Sequence, residues 1–305
     1  MQESKGMGQQ VAVDPKGLVD DITRESRRRG KVHVIAPDLA YRRLAIVNVI
    51  FFGPARAADR HWVMIDAGVI GMTSFITGAA EERFAPNSRP AAIILTHGHF
   101  DHVGALEELS SRWEAPVYAH DLDHPYLDGR ASYPPPDPSV GGGLMSLLSP
   151  LYPRGPVNAS GWLRSLPPDG SVPEMPGWRW LHTPGHSPGH ISLWRESDRA
   201  IIAGDACITT RQESAYAVAV QKPEIHGPPM YYTIDWQKAR ASVELLASLE
   251  PELIVTGHGA ALKGTEMRAS LHELACEFDR VAVPSAGKYV KEPASAESGS
   301  AYRRP

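Results

Sequence analysis

The chain has 305 residues, of which 42% are hydrophobic, and it carries a formal net charge of −4 at pH 7. This length suits one large domain with a sizeable buried core. The charge balance excludes a general attraction to nucleic acid, and the longest apolar run, residues 44–52, is interrupted by Asn48 and is too short to span a bilayer.

Composition and the first residues indicate the compartment. Only two cysteines are present, Cys207 and Cys276, which is too few for a disulfide framework. Residues 1–14 are polar and lack the apolar segment of a secretory signal. We therefore expect a cytoplasmic protein with neither a nucleic-acid nor a membrane partner.

Three segments are predicted along the chain. Residues 1–30 form an N-terminal extension, whose basic cluster at 24–29 indicates a solvated helix face more than a phosphate-binding arm. Residues 31–280 form a single domain. Residues 281–305 are rich in Ser, Ala and charged side chains and predict a flexible, loosely ordered tail.

The first half of the domain contains two predicted strands with polar ends. Residues 62–65 form an apolar run that meets an acidic turn at Asp66. Residues 91–95 form a second buried strand, which leads directly into His97-Gly98-His99-Phe100-Asp101-His102. This run contains four potential metal ligands in six residues, and imidazole and carboxylate ligands suit zinc. The sequence therefore predicts a metal site here, followed by a helix over 104–113.

A long Pro- and Gly-rich region, residues 121–177, comes next and is called the insert below. Its composition predicts irregular loops with short helices at most, such as 144–148. Because the insert lies between ligand-bearing segments, we expect it to sit over or beside the metals. It then acts either as a lid that shapes substrate entry or as a packing or homodimer contact.

The second half supplies further ligands at the ends of predicted strands or turns. Residues 182–190 read His-Thr-Pro-Gly-His-Ser-Pro-Gly-His, a turn that can hold His186 rigidly outward. The apolar run 200–203 ends at Gly204-Asp205, and the run 253–255 precedes His258. A helix is predicted over 235–248 with Asp235 as its N-cap, and an amphipathic helix over 265–281.

The order HxHxDH, TPGHSPGH, GDA and GHG resembles the metallo-β-lactamase superfamily, over about residues 62–262. The resemblance implies an α/β fold, an αββα sandwich with a di-metal site at one edge of its two sheets. A quasi-repeat agrees with this, since 62–68 resembles 200–206 and 93–98 resembles 254–259. Helix-like stretches accompany the strands of each half, which suggests two halves with sheets inside and helices outside.

The superfamily's ligand set carries over onto seven positions of this chain. It implies a first metal held by His97, His99 and His186, a second held by Asp101, His102 and His258, and Asp205 as a bridge, with a water or hydroxide as the other bridge. Two Zn²⁺ ions are expected, with Fe or Mn as alternatives. Three neutral imidazoles leave the charge of the first ion largely intact, so that it acidifies bound water.

Several residues near the motifs are expected to have other roles. Asp66 is predicted to orient a ligand histidine or its loop, and His182 and His190 to be structural or to orient ligands by hydrogen bonds. His226, Tyr231 and Tyr232 follow the Asp205 strand and are candidates for substrate contact, with packing as the alternative.

Differences between this chain and individual branches of the superfamily reduce the number of candidate reactions. Acyl-homoserine lactonases carry a catalytic tyrosine three residues after the bridging Asp, where this chain has Ile208. The bridging Asp205 argues against a dedicated β-lactamase, the helix after residue 262 is short for a glyoxalase II-type glutathione site, and the basic exosites of the nucleases are missing. We predict a di-zinc hydrolase that attacks an ester, lactone or thioester carbonyl of a small molecule, with Asp101 accepting a proton.

Alternatives stay open on the sequence alone. A mono-iron persulfide dioxygenase would use His97, His186 and Asp205, and a glyoxalase II-like thioesterase is the other alternative. A phosphodiesterase or a β-lactamase is less favoured. A non-catalytic binding protein is less favoured too, because such descendants usually lose metal ligands and none of the seven is missing.

Overall fold

Two β-sheets face each other across an apolar interior in this computed structural model, which describes residues 11–12, 31–216 and 223–305. The predictions for residues 1–30 lie outside the described residues, apart from the short strand β1 (Val11–Ala12), which pairs with β12 (Glu224–Ile225).

The first sheet has seven strands in the spatial order β2-β3-β4-β5-β6-β7-β8. They are β2 (His33–Ala36), β3 (Leu39–Leu44), β4 (Val47–Phe52), β5 (Val63–Ile65), β6 (Ala92–Ile94), β7 (Val117–Ala119) and β8 (Leu163–Ser165). The second sheet has five strands in the order β14-β13-β11-β10-β9. They are β9 (Trp178–His182), β10 (Ile191–Arg195), β11 (Ala200–Gly204), β13 (Leu253–Thr256) and β14 (Leu262–Lys263).

Helices pack against the outer face of each sheet, and others lie in the connecting loops. In chain order they are α1 (Thr73–Arg83), α2 (Phe100–Val103), α3 (Leu106–Trp113), α4 (His124–Leu127), α5 (Leu144–Leu148), α6 (Trp236–Ser248), α7 (Thr265–Cys276) and α8 (Phe278–Val281). Two 3₁₀ turns, at 121–123 and 149–151, lie in the insert.

Alternating side chains along the strands build three apolar layers. In β6, Ile93 packs with the layer under α1 and α3, whereas Ile94 packs between the two sheets. In β11, Ile202 faces the first sheet, and Ile201 packs with the layer under α6 and α7. This is the αββα sandwich that the resemblance implied, and the fold class is confirmed.

Parallel pairing fixes which loops meet. β5 and β6 are parallel neighbours in the first sheet, and β11 and β13 are parallel neighbours in the second. Because the carboxyl ends of parallel strands lie at the same edge, the segments that follow these four strands leave the sandwich together.

Local patterns predicted the helices well where capping and spacing agreed. The helix α6 begins after Asp235, whose side chain accepts a hydrogen bond from the backbone nitrogen of Lys238 at 3.0 Å. The helix predicted over 265–281 is divided at Glu277 into α7 and α8.

The insert is more regular than its composition indicated. The helix α5 covers 144–148 as predicted, but the insert also provides β8, which pairs in parallel with β7 and extends the first sheet. The backbone of the strand thus pairs with a distant segment, a contact that Pro and Gly content does not reveal.

Residues 283–305, called the C-terminal segment below, differ from the expected loose tail. Tyr289 and Ala301 are buried, and the Tyr289 hydroxyl donates to the carbonyl of Pro135 at 2.6 Å. The Tyr302 hydroxyl donates to the carbonyl of Leu122 at 2.8 Å. The segment packs across the insert because these few aromatic and small residues supply apolar and hydrogen-bonding contacts that an overall polar composition hides.

None of the helices within residues 31–216 and 223–305 combines the length and the apolar composition that crossing a membrane requires. Both cysteines are free thiols; Cys207 is buried in the apolar layer of the second sheet and Cys276 is exposed.

Candidate metal centre

The first ligand loop begins where β6 ends. His97 and His99 are buried, and His99 has extended backbone angles (φ −66°, ψ 153°) that place it just before α2. The first turn of α2 then carries Asp101 and His102. One short loop and one helical turn therefore direct four potential ligands to the same edge of the sandwich.

The second half of the chain supplies the other side. His186 lies in the turn between β9 and β10, Asp205 follows β11, and His258 follows β13. His258 Nε2 lies 3.0 Å and His186 Nε2 lies 3.4 Å from Asp205 Oδ2. The three residues come from separate connections and converge on the ligand loop of the first sheet.

These side chains form three overlapping groups whose ligand atoms lie within 4.8 Å of one another. The three-histidine group is His97, His99 and His186; the acidic group is Asp101, His102 and His258; and the shared group is His97, His102 and Asp205. All seven residues are buried. The structure thus brings together every residue of the predicted ligand set, and the shared group takes one histidine from each of the other two.

Three of the ligand histidines are oriented by a contact at Nδ1, the ring nitrogen that points away from the centre. The Nδ1 of His102 donates to Asp66 Oδ2 at 2.8 Å, and the Nδ1 of His258 donates to the carbonyl of Ile46 at 2.6 Å. The Nδ1 of His186 lies 3.4 Å from the hydroxyl of Thr233. Each contact engages Nδ1 and leaves Nε2 directed to the centre.

Unsatisfied atoms at the centre test whether a metal fits. His97 Nε2, His102 Nε2 and Asp205 Oδ1 are fully buried and have no hydrogen-bond partner among the described residues. Burying such atoms without a partner costs free energy, so native sites pair them. Nitrogen lone pairs and a carboxylate oxygen that converge on one point suit a divalent cation such as zinc.

The protonation states fit the same cation. Burial lowers the pKa of His97, His99 and His186, for His186 to about 3, so these imidazoles are neutral. Burial alone would raise the pKa of Asp205, but His258 and His102 hold it well below its usual value. The ionised carboxylate and these three neutral imidazoles are the forms that bind metals. Burial alone would lower the pKa of His102 and His258, but Asp205 raises it above its usual value, so these two imidazoles would release a proton when they bind a cation.

Asp66 lies behind the ligands and does not belong to the metal groups. Its Oδ1 accepts from the backbone nitrogen of Thr96 and its Oδ2 from the hydroxyl of Thr96, both at 2.8 Å, in addition to the contact with His102. The Thr96 hydroxyl lies 3.1 Å from His97 Nδ1. One buried carboxylate therefore orients His102 and the loop that carries His97.

Asn48 holds the turn of His258, and sequence reasoning missed it. It lies in β4 of the first sheet, and its Nδ2 donates to the carbonyls of Thr256 at 2.9 Å and Gly259 at 2.7 Å. These bonds join the two sheets beside the metal groups. The available signal was a polar residue within the otherwise apolar run 44–52.

His190 and His182 are not placed as ligands. His190 Nε2 accepts from the backbone nitrogen of Asp205 at 2.8 Å, so its lone pair is already used, and its Nδ1 lies 2.9 Å from the hydroxyl of Thr183. His182 Nε2 donates to the carbonyl of Pro188 at 2.8 Å. Both histidines shape the turn that presents His186.

Aromatic side chains stand next to the ligands. Tyr232 stacks on the ring of His99 at a centroid distance of 4.6 Å, and Tyr152 stacks on Phe100 at 5.4 Å. Tyr231 packs in the same cluster. Phe100, Tyr152, Tyr231 and Tyr232 are called the aromatic wall below. The Tyr232 hydroxyl is buried without a hydrogen-bond partner in the described part of the chain.

His226 belongs to a different set of contacts. Its Nε2 pairs with Glu224 Oε2 at 2.9 Å, and its backbone pairs with that of Ile208. His226 is not among the residues of the three metal groups. The ring is buried within the fold, beside the backbone pairing with Ile208.

Comparison with known proteins places the chain among relatives. The model of the metallo-β-lactamase superfamily matches residues 42–258. The probable metallo-hydrolase YflN of Bacillus subtilis (strain 168) is 46% identical over 230 residues, which cover 75% of this chain and 87% of that protein.

Two solved structures share the fold at lower identity. A metallo-β-lactamase family protein from Thermus thermophilus is 20% identical, with a TM-score of 0.55 and 81% of each chain covered. A β-lactamase domain protein from Burkholderia ambifaria is 18% identical, with a TM-score of 0.58, 89% of this chain covered and 79% of the other.

Proposed function

The chain belongs to the metallo-β-lactamase superfamily and is a metal-dependent hydrolase, and we propose that it is a di-zinc enzyme. Its proposed substrate is a small-molecule ester, lactone or thioester. The observation that carries the proposal is the arrangement of the seven ligands. Two complete groups of three ligands meet, and Asp205 approaches a histidine of each. A single-metal site would leave the acidic group of buried, converging ligands unused.

When bound, two zinc ions would supply a water-derived nucleophile at neutral pH and stabilise negative charge that develops on the substrate carbonyl oxygen. The three-histidine group would hold one ion and the acidic group the other, with Asp205 between them. Nitrogen and oxygen ligands of this kind favour zinc, and also accept iron or manganese.

Asp101 is the proposed proton acceptor. It lies in the first turn of α2 and is only 6% exposed, with Oδ2 3.5 Å from His258 Nε2. Burial raises the pKa of its carboxyl, which brings the group closer to the pH at which it can take up and return a proton.

The aromatic wall supports a carbonyl substrate. Stacked phenyl and phenol rings suit an uncharged acyl group better than the charged backbone of a phosphodiester. Burial raises the pKa of Tyr232, so its hydroxyl stays protonated and can donate to the carbonyl oxygen. Tyr231 and Tyr152 would contact the rest of the substrate.

The test combines metal analysis with turnover. Protein purified without added metal is assayed for zinc, iron and manganese content and for hydrolysis of matched ester, lactone and thioester panels. We expect close to two zinc ions per chain and turnover of at least one carbonyl class. The variant His97→Ala should lose both, whereas His61→Ala, which changes an exposed histidine, should lose neither.

A contrary result would identify another branch of the superfamily. One iron per chain, with no hydrolysis and with oxygen consumption on a persulfide, would replace the hydrolase proposal with sulfur oxidation. Hydrolysis of a phosphodiester but of no carbonyl substrate would reject the substrate class alone.

A further inference from the structure

Asp123 connects the two histidine-bearing loops from a third segment of the chain. It ends the 3₁₀ turn at the start of the insert, and its side chain is fully buried. Its Oδ2 accepts from the backbone nitrogen of Gly98 at 3.0 Å, and its Oδ1 accepts from the backbone nitrogen of Gly189 at 2.8 Å. Gly98 separates His97 from His99, and Gly189 follows His186 by three residues.

Two hydroxyls complete the set of donors to this carboxyl group. Ser187, which directly follows His186, lies 3.2 Å from Oδ1 and 3.0 Å from Oδ2 through its Oγ. The Tyr133 hydroxyl donates to Oδ2 at 2.9 Å and accepts from the backbone nitrogen of Gly98 at 3.0 Å. The Tyr133 ring lies 4.2 Å from the ring of His99.

Close approach at the glycines shows how tightly this contact is built. A Cβ at position 189 would lie 2.6 Å from the backbone nitrogen of Asp123 and 2.8 Å from its Oδ1. A Cβ at position 98 would lie 2.9 Å from the Tyr133 hydroxyl. The loop that follows His186 therefore needs glycine to approach Asp123, and a side chain at position 98 would displace the Tyr133 hydroxyl.

The four hydrogen-bond donors offset the cost of burying the Asp123 carboxyl group. Burial raises the pKa of Asp123, and the hydrogen bonds from Tyr133, Gly189, Ser187 and Gly98 oppose that rise. A buried carboxyl group is costly unless its oxygens are paired, and here each oxygen accepts from one ligand-loop nitrogen and from a hydroxyl.

We infer that Asp123, with Tyr133, is a positioning residue that holds His97, His99 and His186 at the spacing of the three-histidine group and thereby sets its metal affinity. The acidic group depends on other supports, because Asp66 contacts His102 and Asn48 holds the turn of His258. Asp123 acts through the ligand loops and contacts neither group directly. The inference rests on the metal centre of the proposed function and not on its substrate.

The experiment measures zinc affinity position by position. Metal-free wild-type protein and the variants Asp123→Asn, Tyr133→Phe and Ser187→Ala are titrated with zinc against a chromophoric chelator. His186→Ala and His258→Ala assign the two binding steps to the three-histidine and acidic groups. The control Asp121→Asn changes a neighbouring carboxylate that is 72% exposed.

Asp123→Asn should weaken zinc binding at the three-histidine group by about 10- to 100-fold, the range found when partners of metal ligands are removed. Binding at the acidic group should stay at the wild-type level. Tyr133→Phe and Ser187→Ala should weaken the same step by a smaller factor, and they decide the question if Asp123→Asn does not fold. Asp121→Asn should match wild type.

Two results would overturn the inference while leaving the hydrolase proposal in place. One is zinc binding at wild-type affinity in every variant that folds; the other is an equal loss at both groups, which would indicate general loosening. Failure of wild-type protein to bind zinc at all would instead overturn both proposals.

Discussion

The metal centre and the aromatic wall lie side by side but are built in different ways. Each ligand of the centre comes from a short motif directly after a strand or in a tight turn. The wall collects side chains from α2, from the insert and from residues 231–232, without a repeated local pattern. The centre is therefore fixed by strand ends, whereas the wall depends on how distant loops pack.

The largest effect should come from removing the ligand shared by both groups. Asp205→Ala removes the carboxylate near His186 and His258 and should abolish stable zinc binding. Because a bound metal lowers the pKa of water enough to supply a nucleophile at neutral pH, turnover should fall by at least about 10³-fold. Elemental analysis and kcat measure both losses.

The exposed carboxylate Asp169 provides the control for this variant. Asp169→Ala should retain wild-type zinc content and kcat. An Asp205→Ala protein that keeps two tightly bound zinc ions would show that the Asp205 carboxylate is not needed for metal binding.

A smaller loss of zinc affinity is expected when Asp66, which contacts the ligand His102, is changed. Asp66→Asn keeps the side-chain volume and a residue type that tolerates the left-handed backbone (φ 60°), but weakens the contacts with His102 and Thr96. Zinc affinity should fall by about 10- to 100-fold, with kcat partly restored at excess zinc. Asp59→Asn, at a surface ion pair with Arg89, should leave the affinity unchanged.

The wall can be altered without touching the centre. Tyr152→Ala removes the ring stacked on Phe100 and should lower kcat/KM by about 10-fold at most, since an aromatic contact contributes about 0.5–1.5 kcal/mol. Zinc content should not change. Leu147→Ala, at an exposed leucine of the insert, is the control. A loss of zinc in Tyr152→Ala would contradict the separation of the two regions.

The smallest effect concerns the junction of the insert with the His186 turn. The ring of His120 stacks on that of His182 at 4.3 Å, and burial, together with His182, lowers the pKa of His120 from 6.5 to about 4. The unfolded chain therefore binds the proton first, and stability is lost as the pH falls from about 6.5 to about 4.

His120→Gln should reduce this loss. The ring is partly exposed, so screening weakens the effect, and the change in Tm over this pH range should be at most about 4 °C. Thermal melts at pH 7 and pH 4.5 measure it, with His61→Gln as an exposed control. Identical pH dependence in His120→Gln and wild type would show that this ring does not set the pH response.

The sequence made the ligand cluster predictable because it follows local rules, and the sandwich because the ordered motifs resemble those of a superfamily with that fold. An apolar run ends two or three residues before His97, Asp205 and His258 alike, and a Gly is adjacent to each of the three ligands. The helix α6 was readable from apolar spacing and from the Asp235 cap. These features depend on residues within a few positions of one another.

Other features could not be read because their contacts are distant in sequence. The Asp123 side chain receives hydrogen bonds from Gly98 and Gly189, which lie 25 and 66 residues away. The C-terminal segment was expected to be loose from its composition, yet Tyr302 reaches Leu122 across 180 residues. Composition averages over such single anchoring side chains.

The packing of the C-terminal segment on the insert has a consequence for the order of assembly during synthesis. All seven ligands lie between residues 97 and 258, so a nascent chain carries its complete ligand set before Tyr289 and Tyr302 are translated. The carbonyl of Ala301 later accepts from the hydroxyl of Tyr126, whose ring stacks on Tyr133 at 3.6 Å. The ligand set is therefore complete in a chain that still lacks the residues supporting the Asp123–Tyr133 contact from outside.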